Sequence, residues 1–400
     1  MPPQLPGLAL YVHLPFCVSK CPYCDFSSRV VSPVPEKAYT DTLVEELRLW
    51  RNYLQEDRRP LDSVFFGGGT PSLFSPDSIG RLMQGITRLW PLAPGCEVTL
   101  EANPESSTLP RFQGYRAAGV TRLSLGIQSL DPQRLHGLQR AHDRNMALAA
   151  MEAASKTGFA AVNFDLIYGT PGQGPDSWKH ELEEVTAWNP AHLSCYQLTP
   201  ETGTPLAARI DRGDLSLPAE EEQRKLWDTT WQTLESKGWE GYEISNFARP
   251  GQRCRHNDHV WDFGDYLGIG AAAHGKLTRE DGTTTRFVNK ADPETYKQSV
   301  ATTRPSTPQA PTQVPAQAET IDRNTNAGDC LMLGLRRREG VNLETFRQAA
   351  GGADPLLPRQ QWLEELLENG IVEISAERLR LTPRGRPLLD EVTRLLLPGL

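Results

Sequence analysis

Apolar runs rich in β-branched and aromatic residues alternate with segments of helical period along the first half of the chain. Segment 36–54, for example, returns an apolar residue every three or four positions, which predicts an amphipathic helix. Strand, helix and strand repeated in this way imply right-handed crossovers and a parallel sheet. The predicted fold class is α/β, an incomplete (β/α)6-type barrel with its chemistry on the loops after the strand carboxyl ends. The strand candidates are 8–14, 61–67, 96–103, 121–128, 161–169 and 192–198.

A change of composition predicts a second unit. Residues 303–320 are rich in Pro, Thr and Gln and contain almost no large apolar residue, which predicts an exposed linker. The barrel is therefore assigned to 1–302. After the linker, 321–400 contains helical segments, then two short alternating strands and a last helix. Helices followed by a small hairpin resemble a winged-helix module in shape, and shape alone does not imply DNA binding.

Charge and composition narrow the partners and the location. The 400 residues are 38% hydrophobic and 23% charged, with a formal net charge of -8. The acidic balance argues against a nucleic-acid partner, and the basic run "LRRREG" at 335–340 is interpreted as a solvated helix face. With no long apolar run and no secretory signal at the start of the sequence, a cytoplasmic location is expected, and peripheral association with a membrane stays open. Thiols stay reduced there, so the seven cysteines predict no disulfide framework.

Three of those cysteines, Cys17, Cys21 and Cys24, follow the first strand with the spacing C-x3-C-x2-C. Three thiolates on one loop can hold three irons of a [4Fe-4S] cluster and leave the fourth iron open to a ligand. Zinc is the alternative, although structural zinc usually takes four ligands in two separated pairs. The spacing favours the iron-sulfur interpretation and leaves zinc open.

Glycines and isolated polar residues mark the ends of the following strands. The glycines of "GGGTPS" at 67–72 let the backbone approach a ligand closely, or form only a tight turn. Glu101, Gln128 and Asp165 end three further strands, on the side where a barrel binds ligands. One such residue is usually a cap or a solvated edge, whereas three from successive strands form a constellation. Arg140 is the weakest member, since arginine is common on protein surfaces.

Together these motifs resemble a known superfamily. The cysteine spacing, with the aromatic Tyr23 before the third cysteine, resembles the radical S-adenosylmethionine superfamily, in which a cluster binds S-adenosylmethionine and donates an electron that splits a carbon-sulfur bond. "YVHLPFCVSKCPYCDF", "FFGGGTPS", "EANPE", "SLGIQSL", "DLIYGTPGQ", "YQLTPETGT" and "GIGAAAHG" resemble the oxygen-independent coproporphyrinogen III oxidase group over essentially the whole chain. The resemblance implies a [4Fe-4S] cluster on the three cysteines. It also implies S-adenosylmethionine contacts at Tyr11, Tyr23, Gly68, Gly69, Thr70, Glu101, Gln128, Arg140 and Asp165.

Two branches of that group differ near the cysteines. The oxidases carry a further cysteine two residues after the third one, where this sequence has Phe26. They also have a longer segment before the position of Tyr11, which here is preceded by only ten residues. Both features resemble the other branch, the HemW haem chaperones.

A later motif points to the same branch. HemW proteins have a His-Asn-x-x-Tyr-Trp motif associated with haem, and residues 256–261 read His-Asn-Asp-His-Val-Trp, with Val260 in place of Tyr. The resemblance implies that His256 binds haem, with Trp261 as a flat apolar neighbour. Because segment 241–275 breaks from the preceding βα rhythm, we expect the motif to form a surface-accessible loop near the barrel mouth.

The predicted function is that of a HemW-like haem chaperone that binds a [4Fe-4S] cluster and S-adenosylmethionine. Its cargo is haem, its partners are haem-accepting membrane proteins and an electron donor for the cluster, and a homodimer stays open. The alternative is an oxygen-independent coproporphyrinogen III oxidase, or another radical S-adenosylmethionine enzyme acting on a tetrapyrrole. Phe26 argues against the oxidase.

Overall fold

A computed structural model of the protein describes residues 5–303 and 314–397. Its strands are β1 (Leu8–Leu14), β2 (Phe16–Cys17), β3 (Arg29–Val30), β4 (Leu61–Gly68), β5 (Leu92–Ala102), β6 (Arg122–Gln128), β7 (Ala161–Tyr168), β8 (His192–Gln197), β9 (Glu240–Gly241), β10 (Asn246–Ala248), β11 (Asp265–Ile269), β12 (His274–Thr278), β13 (Thr284–Val288), β14 (Gln317–Thr320), β15 (Val341–Asn342), β16 (Val372–Ile374) and β17 (Arg378–Leu381).

The helices alternate with these strands through the first half of the chain. They are α1 (Glu36–Tyr53), α2 (Pro76–Leu89), α3 (Leu109–Ala117), α4 (Pro132–Gly137), α5 (Arg144–Thr157), α6 (Pro175–Thr186), α7 (Pro205–Asp211), α8 (Glu220–Ser236), α9 (Arg255–Trp261), α10 (Pro293–Thr302), α11 (Arg323–Arg336), α12 (Leu343–Ala349), α13 (Gln360–Glu368) and α14 (Leu389–Leu396). None of the helices described within 5–303 and 314–397 has the length and apolar character needed to cross a bilayer.

The large sheet contains the six predicted strands side by side. β1, β4, β5, β6, β7 and β8 pair in this order, all parallel, which confirms the predicted fold class. β11 joins the free edge of β1 as a further parallel strand, and β12, β13 and β14 continue from it antiparallel. On the opposite edge β10 pairs antiparallel with β8. The sequence pattern did not predict the strands that extend the sheet at its two edges. Periodicity can indicate that a segment is a strand, but it does not show which strand it pairs with.

Each crossover helix starts where the sequence supplies a cap. Ser75 accepts a hydrogen bond from the Ser78 N–H at the start of α2, and Pro76 occupies its first position. Asp143 accepts one from the Met146 N–H at the start of α5. The apolar faces of these helices pack on the strands in one core, with Trp50 among its fully buried side chains. The helices therefore bury the outer face of the sheet, and the inner face encloses the barrel interior.

A buried carboxylate fixes β11 beside β1. Glu46 of α1 accepts hydrogen bonds from the Gly270 N–H at 2.8 Å, Asn289 Nδ2 at 2.7 Å, the Tyr296 hydroxyl at 2.5 Å and Trp50 Nε1 at 3.3 Å. Burial raises the pKa of Glu46 to about 7 even though four donors oppose the shift. Helix α1 is thus joined to the segment after β11 and to α10.

The C-terminal domain has its own core. Leu331, Phe346 and Leu379 pack there together with Phe263, which comes from the end of α9. β15, β17 and β16 form a three-stranded sheet, and β16 and β17 make the hairpin that the sequence predicts. Of the expected linker 303–320, residues 304–313 lie outside the described residues. Residues 317–320 are the exposed edge strand β14 of the large sheet.

The sequence indicates a solvated helix face for the basic run at 335–340. The structure shows that this interpretation is wrong. All three of its arginines form ion pairs with carboxylates of the barrel domain, and Arg337 is only 8% exposed. The pairs are Arg336 with Glu243, Arg337 with Asp258 and Asp262, and Arg338 with Glu235. The interpretation failed because the sequence does not show that these carboxylates face α11. The run therefore holds the two domains together.

Candidate functional site

The three cysteines lie on one loop between β1 and α1, which we call the cluster loop (residues 15–28). Two short contacts close its base: β2 pairs with β3, and the Arg29 N–H donates to the Pro15 carbonyl at 2.7 Å. Cys17, Cys21 and Cys24 are free, partly exposed thiols. Within the described residues, no three His, Cys, Asp or Glu side chains converge as ligands for a single metal ion. A cluster does not require such convergence, because each thiolate binds a separate iron.

A histidine ties the end of the cluster loop to β1. His13 Nε2 lies 2.9 Å from the Ser27 carbonyl, which can only accept, so this nitrogen carries the proton. His13 Nδ1 therefore accepts from the Tyr11 hydroxyl at 2.9 Å. Burial lowers the pKa of His13, which keeps the ring neutral and this tautomer in place. Sequence reasoning chose Tyr11 and missed His13, although "YVHLPFC" contains both.

The glycine turn at 67–70 packs directly on the cluster loop. A Cβ on Gly69 would lie 2.6 Å from the Phe16 carbonyl oxygen, and the Thr70 N–H donates to the same oxygen at 2.8 Å. Gly68 has φ +114° and a Cβ there would lie 2.6 Å from the His13 ring. The glycines are needed for this loop-to-loop contact. Any side chain at Gly68 would therefore strain the backbone and meet the His13 ring.

Arg140, which the sequence ranked lowest, lies at the centre of the site. Its Nη1 donates to Cys21 Sγ at 3.5 Å and to the Tyr23 hydroxyl at 3.3 Å, and its Nη2 donates to Asn103 Oδ1 at 2.7 Å. On the other side of the loop, the Thr70 hydroxyl donates to Cys17 Sγ at 3.7 Å. A fixed guanidinium and a hydroxyl donor beside the thiols suit an anionic group such as a thiolate-bound cluster.

Two half-buried carboxylates face the barrel interior. Glu101 accepts from the Gly68 N–H at 3.2 Å, and burial, with a smaller effect from Asp165, raises the pKa of Glu101 to about 8. Burial also raises the pKa of Asp165, although Ser124 and Asn163 donate to it at 3.0 and 2.7 Å. Glu101 is therefore largely protonated near neutral pH, and a cationic ligand beside it would restore its charge.

Most of the predicted residues surround one cavity of about 920 Å³. It opens at the carboxyl ends of the parallel strands and extends into the barrel. Gln128, the last residue of β6, reaches it from a backbone with φ +65°, a conformation that non-glycine residues seldom adopt. The predicted residues that line the cavity are Cys17, Cys21, Tyr23, Cys24, Gly68, Gly69, Thr70, Glu101, Gln128, Arg140 and Asp165. Tyr11 lies outside this lining and stacks on Phe65.

His256 is not on a surface loop near the mouth, so that expectation is wrong. It lies on helix α9, is only 6% exposed, and its Nδ1 is hydrogen-bonded to Ser63 Oγ at 2.9 Å. Its ring packs on Phe65 at 4.9 Å. Glu97 Oε1 accepts from the Arg255 N–H at 2.9 Å. Ser63 pairs with Glu97 in register near the amino ends of β4 and β5, so α9 closes the end of the barrel opposite the cysteines. We call α9, Ser63 and Glu97 the barrel floor.

The position of α9 in the floor explains why His256 is buried. Burial lowers the pKa of His256 to about 3, so its ring is neutral. His259 is hydrogen-bonded to the Asp265 carbonyl at 2.7 Å, and Trp261 packs 6.1 Å from the Tyr242 ring. Cys254, at the start of α9, is buried and lines the deep end of the cavity. The sequence did not predict this helix because its seven residues carry no clear helical period.

Sequence reasoning also missed polar residues inside the barrel. Asn103 donates to the Thr70 hydroxyl at 3.0 Å while it accepts from Arg140, so it connects the glycine turn to that arginine. His192 Nδ1 donates to Asn163 Oδ1 at 2.7 Å, and the Tyr242 hydroxyl donates to its Nε2 at 2.8 Å. A signal was present: polar residues recur at every second position of "AVNFDLIY" and "HLSCYQ", the spacing of one strand face.

Comparison with known proteins decides the family. A model of the radical SAM superfamily matches residues 11–185, and a model of the HemN C-terminal domain matches 321–388. The heme chaperone HemW of Haemophilus influenzae is 34% identical over 99% of this chain and 99% of its own length. HemW of Mycobacterium tuberculosis is 36% identical over 99% of this chain and 98% of its own. The chain belongs to the HemW group of the radical SAM superfamily.

A solved structure agrees with the fold of this HemW-like chain. Coproporphyrinogen III oxidase (HemN) from Escherichia coli superposes with a TM-score of 0.80 over 99% of this chain and 91% of that protein, at 23% identity. At that identity the likeness shows the shared fold. The resemblance predicted from the motifs is confirmed at the level of superfamily and group.

Proposed function

We propose that this chain is a haem chaperone that carries a [4Fe-4S] cluster and S-adenosylmethionine and delivers haem to membrane haem proteins. One observation carries the proposal: eleven residues chosen from the sequence line a single cavity in a chain that matches HemW proteins over nearly its full length. The relatives are named for haem, and we extend that cargo to this chain. Transfer would take place at a membrane surface, where the acceptors reside.

The cluster loop fits a cluster with three protein ligands. Cys17, Cys21 and Cys24 would each hold one iron, and Arg140 and Thr70 would donate to the sulfurs of Cys21 and Cys17. When bound, the cluster supplies an electron and an open iron for a ligand. Among the chain's own residues, the neutral His13 holds the end of the loop in place through its hydrogen bonds with the Ser27 carbonyl and the Tyr11 hydroxyl.

The neighbouring polar groups fit S-adenosylmethionine. The turn from Gly68 to Thr70 adjoins the cluster loop, as a binder of the methionine part should. Glu101 and Asp165 would complement the positive charge of the sulfonium and amino groups, and their raised pKa values fit a site that lacks this charge. Gln128 and Arg140 line the same cavity and would orient the rest of the ligand.

Haem ligation by His256 stays a prediction. The buried position of His256 in the floor means that binding would require a change of conformation. In the described conformation the His256 ring is buried and packs on Phe65, so coordination of iron requires this ring to move away from Phe65. Cys254 and Asn257 line the cavity from the same segment. Haem that enters the cavity would therefore approach this helix from inside the barrel.

The oxidase alternative shares the cavity and differs at one residue. Phe26, where the oxidases carry a cysteine, is 58% exposed on the rim of the cavity and supplies no thiol. We expect the reconstituted protein to bind haem and to convert coproporphyrinogen III at no useful rate.

The deciding experiment is anaerobic reconstitution, followed by titration with haem and by an assay with coproporphyrinogen III and an active reductant. Saturable haem binding without product supports the chaperone. Robust formation of protoporphyrinogen IX would replace it with the enzyme.

A further inference from the structure

The far end of the cavity lies between the barrel and the C-terminal domain. Helix α8 contributes Arg224 and Trp227 to its lining, and the segment before α14 contributes Arg386 and Leu388. The cluster loop lines the other end of the same cavity. A ligand that reaches from the cluster loop to this end would touch both domains.

The Arg386 guanidinium has no hydrogen-bond acceptor among the residues that the structure describes. Its guanidinium carbon lies 4.6 Å from the centroid of the Trp231 ring. Its Nε is buried and has no hydrogen-bond partner within the described part of the chain, where its side chain also makes no ion pair. Burial and the nearby Arg338 lower its pKa, but a guanidinium keeps its proton at any physiological pH. Glu235 acts on this charge from nearby but is itself paired with Arg338, so the partly buried guanidinium of Arg386 remains receptive to an anion.

The other arginines at this end already have partners. Arg224 lies 3.1 Å from Asp228, and Arg336 lies 3.1 Å from Glu243. Two acidic side chains, Glu220 and Asp390, also line this end of the cavity. The surface is therefore not positively charged throughout. The charge pattern therefore suits one carboxylate at Arg386.

An aromatic surface adjoins that position. Trp227 lines the cavity, and its ring lies 5.7 Å from the ring of Trp231 at an interplanar angle of 34°. Leu388 of the C-terminal domain adds an apolar side chain across the cavity. Flat apolar surface beside an unpaired guanidinium complements a planar ring that carries carboxylates.

We propose that this end of the cavity is a carboxylate subsite for a porphyrin, in which Arg386 binds one propionate of haem and Trp227 lies against the ring. The inference rests on the proposed function and goes beyond it, because it places the cargo across the two domains. The propionate end of haem would then lie far from the cluster loop, and the C-terminal domain would take part in cargo recognition.

The test compares haem with haem dimethyl ester, in which both propionates are esterified, in one detergent-containing buffer. The full-length reconstituted protein and its Arg386→Gln variant are titrated by absorbance. We expect the variant to bind haem at least about tenfold more weakly than wild type, the effect of one lost charge-assisted pair, and to bind the ester with unchanged affinity. Arg386→Lys should recover part of the loss. Trp227→Ala should weaken haem and ester alike.

Arg384→Gln is the matched control, since Arg384 is exposed two residues away and outside this cavity. Equal haem affinity in wild type and Arg386→Gln would overturn the subsite and leave the chaperone proposal standing. Equal weakening of haem and ester would also overturn it, because the arginine would then not recognise a carboxylate. Wild type that binds no haem would overturn both proposals. If Arg386→Gln does not fold, the wild-type protein alone decides. A preference of about tenfold for haem over its ester would support the subsite, and equal affinity for both would overturn it.

Discussion

The two ends of the barrel differ in how the fold positions their polar residues. At the cluster end, residues from five separate motifs converge on one cavity. At the floor, His256 was chosen from one motif and lies buried beneath Phe65, away from the mouth. The difference is topological. In a parallel sheet, carboxyl ends of strands meet at one edge whatever the loops do, so the strand pattern alone places the first set. No such rule places a motif that comes after the last strand that the sequence predicts, β8.

The largest effect is expected at the cluster end, where the cysteines should be required for binding of the iron-sulfur cluster. Cys17→Ala should abolish the visible absorption of the cluster and lower the iron content after reconstitution, because two remaining thiolates cannot hold three irons. Absorbance and iron analysis check this. Cys96→Ala, at a partly exposed cysteine on β5 outside the cavity lining, should keep full iron. Four irons per chain in Cys17→Ala would refute the assignment.

The buried His256 of the floor should contribute to the stability of the fold. His256→Ala removes a buried ring and should lower the free energy of unfolding by about 2–4 kcal/mol, measured by urea titration, while the iron content stays intact. Ser63→Ala removes only the hydrogen-bond partner of His256 and should lower it by about 1 kcal/mol.

Haem titration of the same variants tests the role predicted for the motif. We expect His256→Ala to weaken or shift the Soret band of bound haem, with a smaller effect from His259→Ala and none from Ser63→Ala. An unaltered haem spectrum and affinity in the His256→Ala, His259→Ala double variant would remove this helix as the ligand source.

The pH dependence of stability should distinguish the carboxylates of the cluster end from one another. Because burial raises the pKa of Glu101 to about 8, the folded protein holds a proton that the unfolded chain releases from pH 4.5 upward. The stability of the ligand-free protein should therefore fall as pH rises between about 4.5 and 8, by at most about 1.4 kcal/mol per pH unit from this group. Glu101→Gln should be more stable than wild type at pH 8, and the gap should close toward pH 5.

Glu105→Gln is the matched control for that titration. Burial acts to raise the pKa of Glu105, but the neighbouring His142, whose Nδ1 lies 3.6 Å from Glu105 Oε2, and the charge of Arg140 bring it below its usual value. This variant should therefore be less stable than wild type at pH 8, the opposite sign. Urea unfolding at pH 5, 6, 7 and 8 measures both. If Glu101→Gln and wild type showed parallel pH profiles, the raised pKa of Glu101 would be wrong.

Particular residues show how far sequence reasoning reaches. The six barrel strands and helix α1 agree with the structure to within a few residues, because long apolar runs and a helical period are local properties. Arg140 was undervalued, since its contacts to Cys21 and Asn103 join residues far apart in the chain. The arginines at 336–338 were misread for the same reason: ion pairs across a domain boundary leave no local signal. Helix α9 carries only seven residues, too few for its period to be recognised.

The position of β11 beside β1 has a consequence for synthesis. The cluster loop leaves the ribosome long before β11, and the second edge of the preceding strand β1 stays open until residues 265–269 emerge. The four donors that close on Glu46 are complete only when Tyr296 has been made. An unpaired β1 edge on a nascent chain is a template for wrong pairing. A ribosome-bound fragment ending before residue 265 should therefore be more prone to aggregation than one that includes α10, even though it already carries all three cluster cysteines.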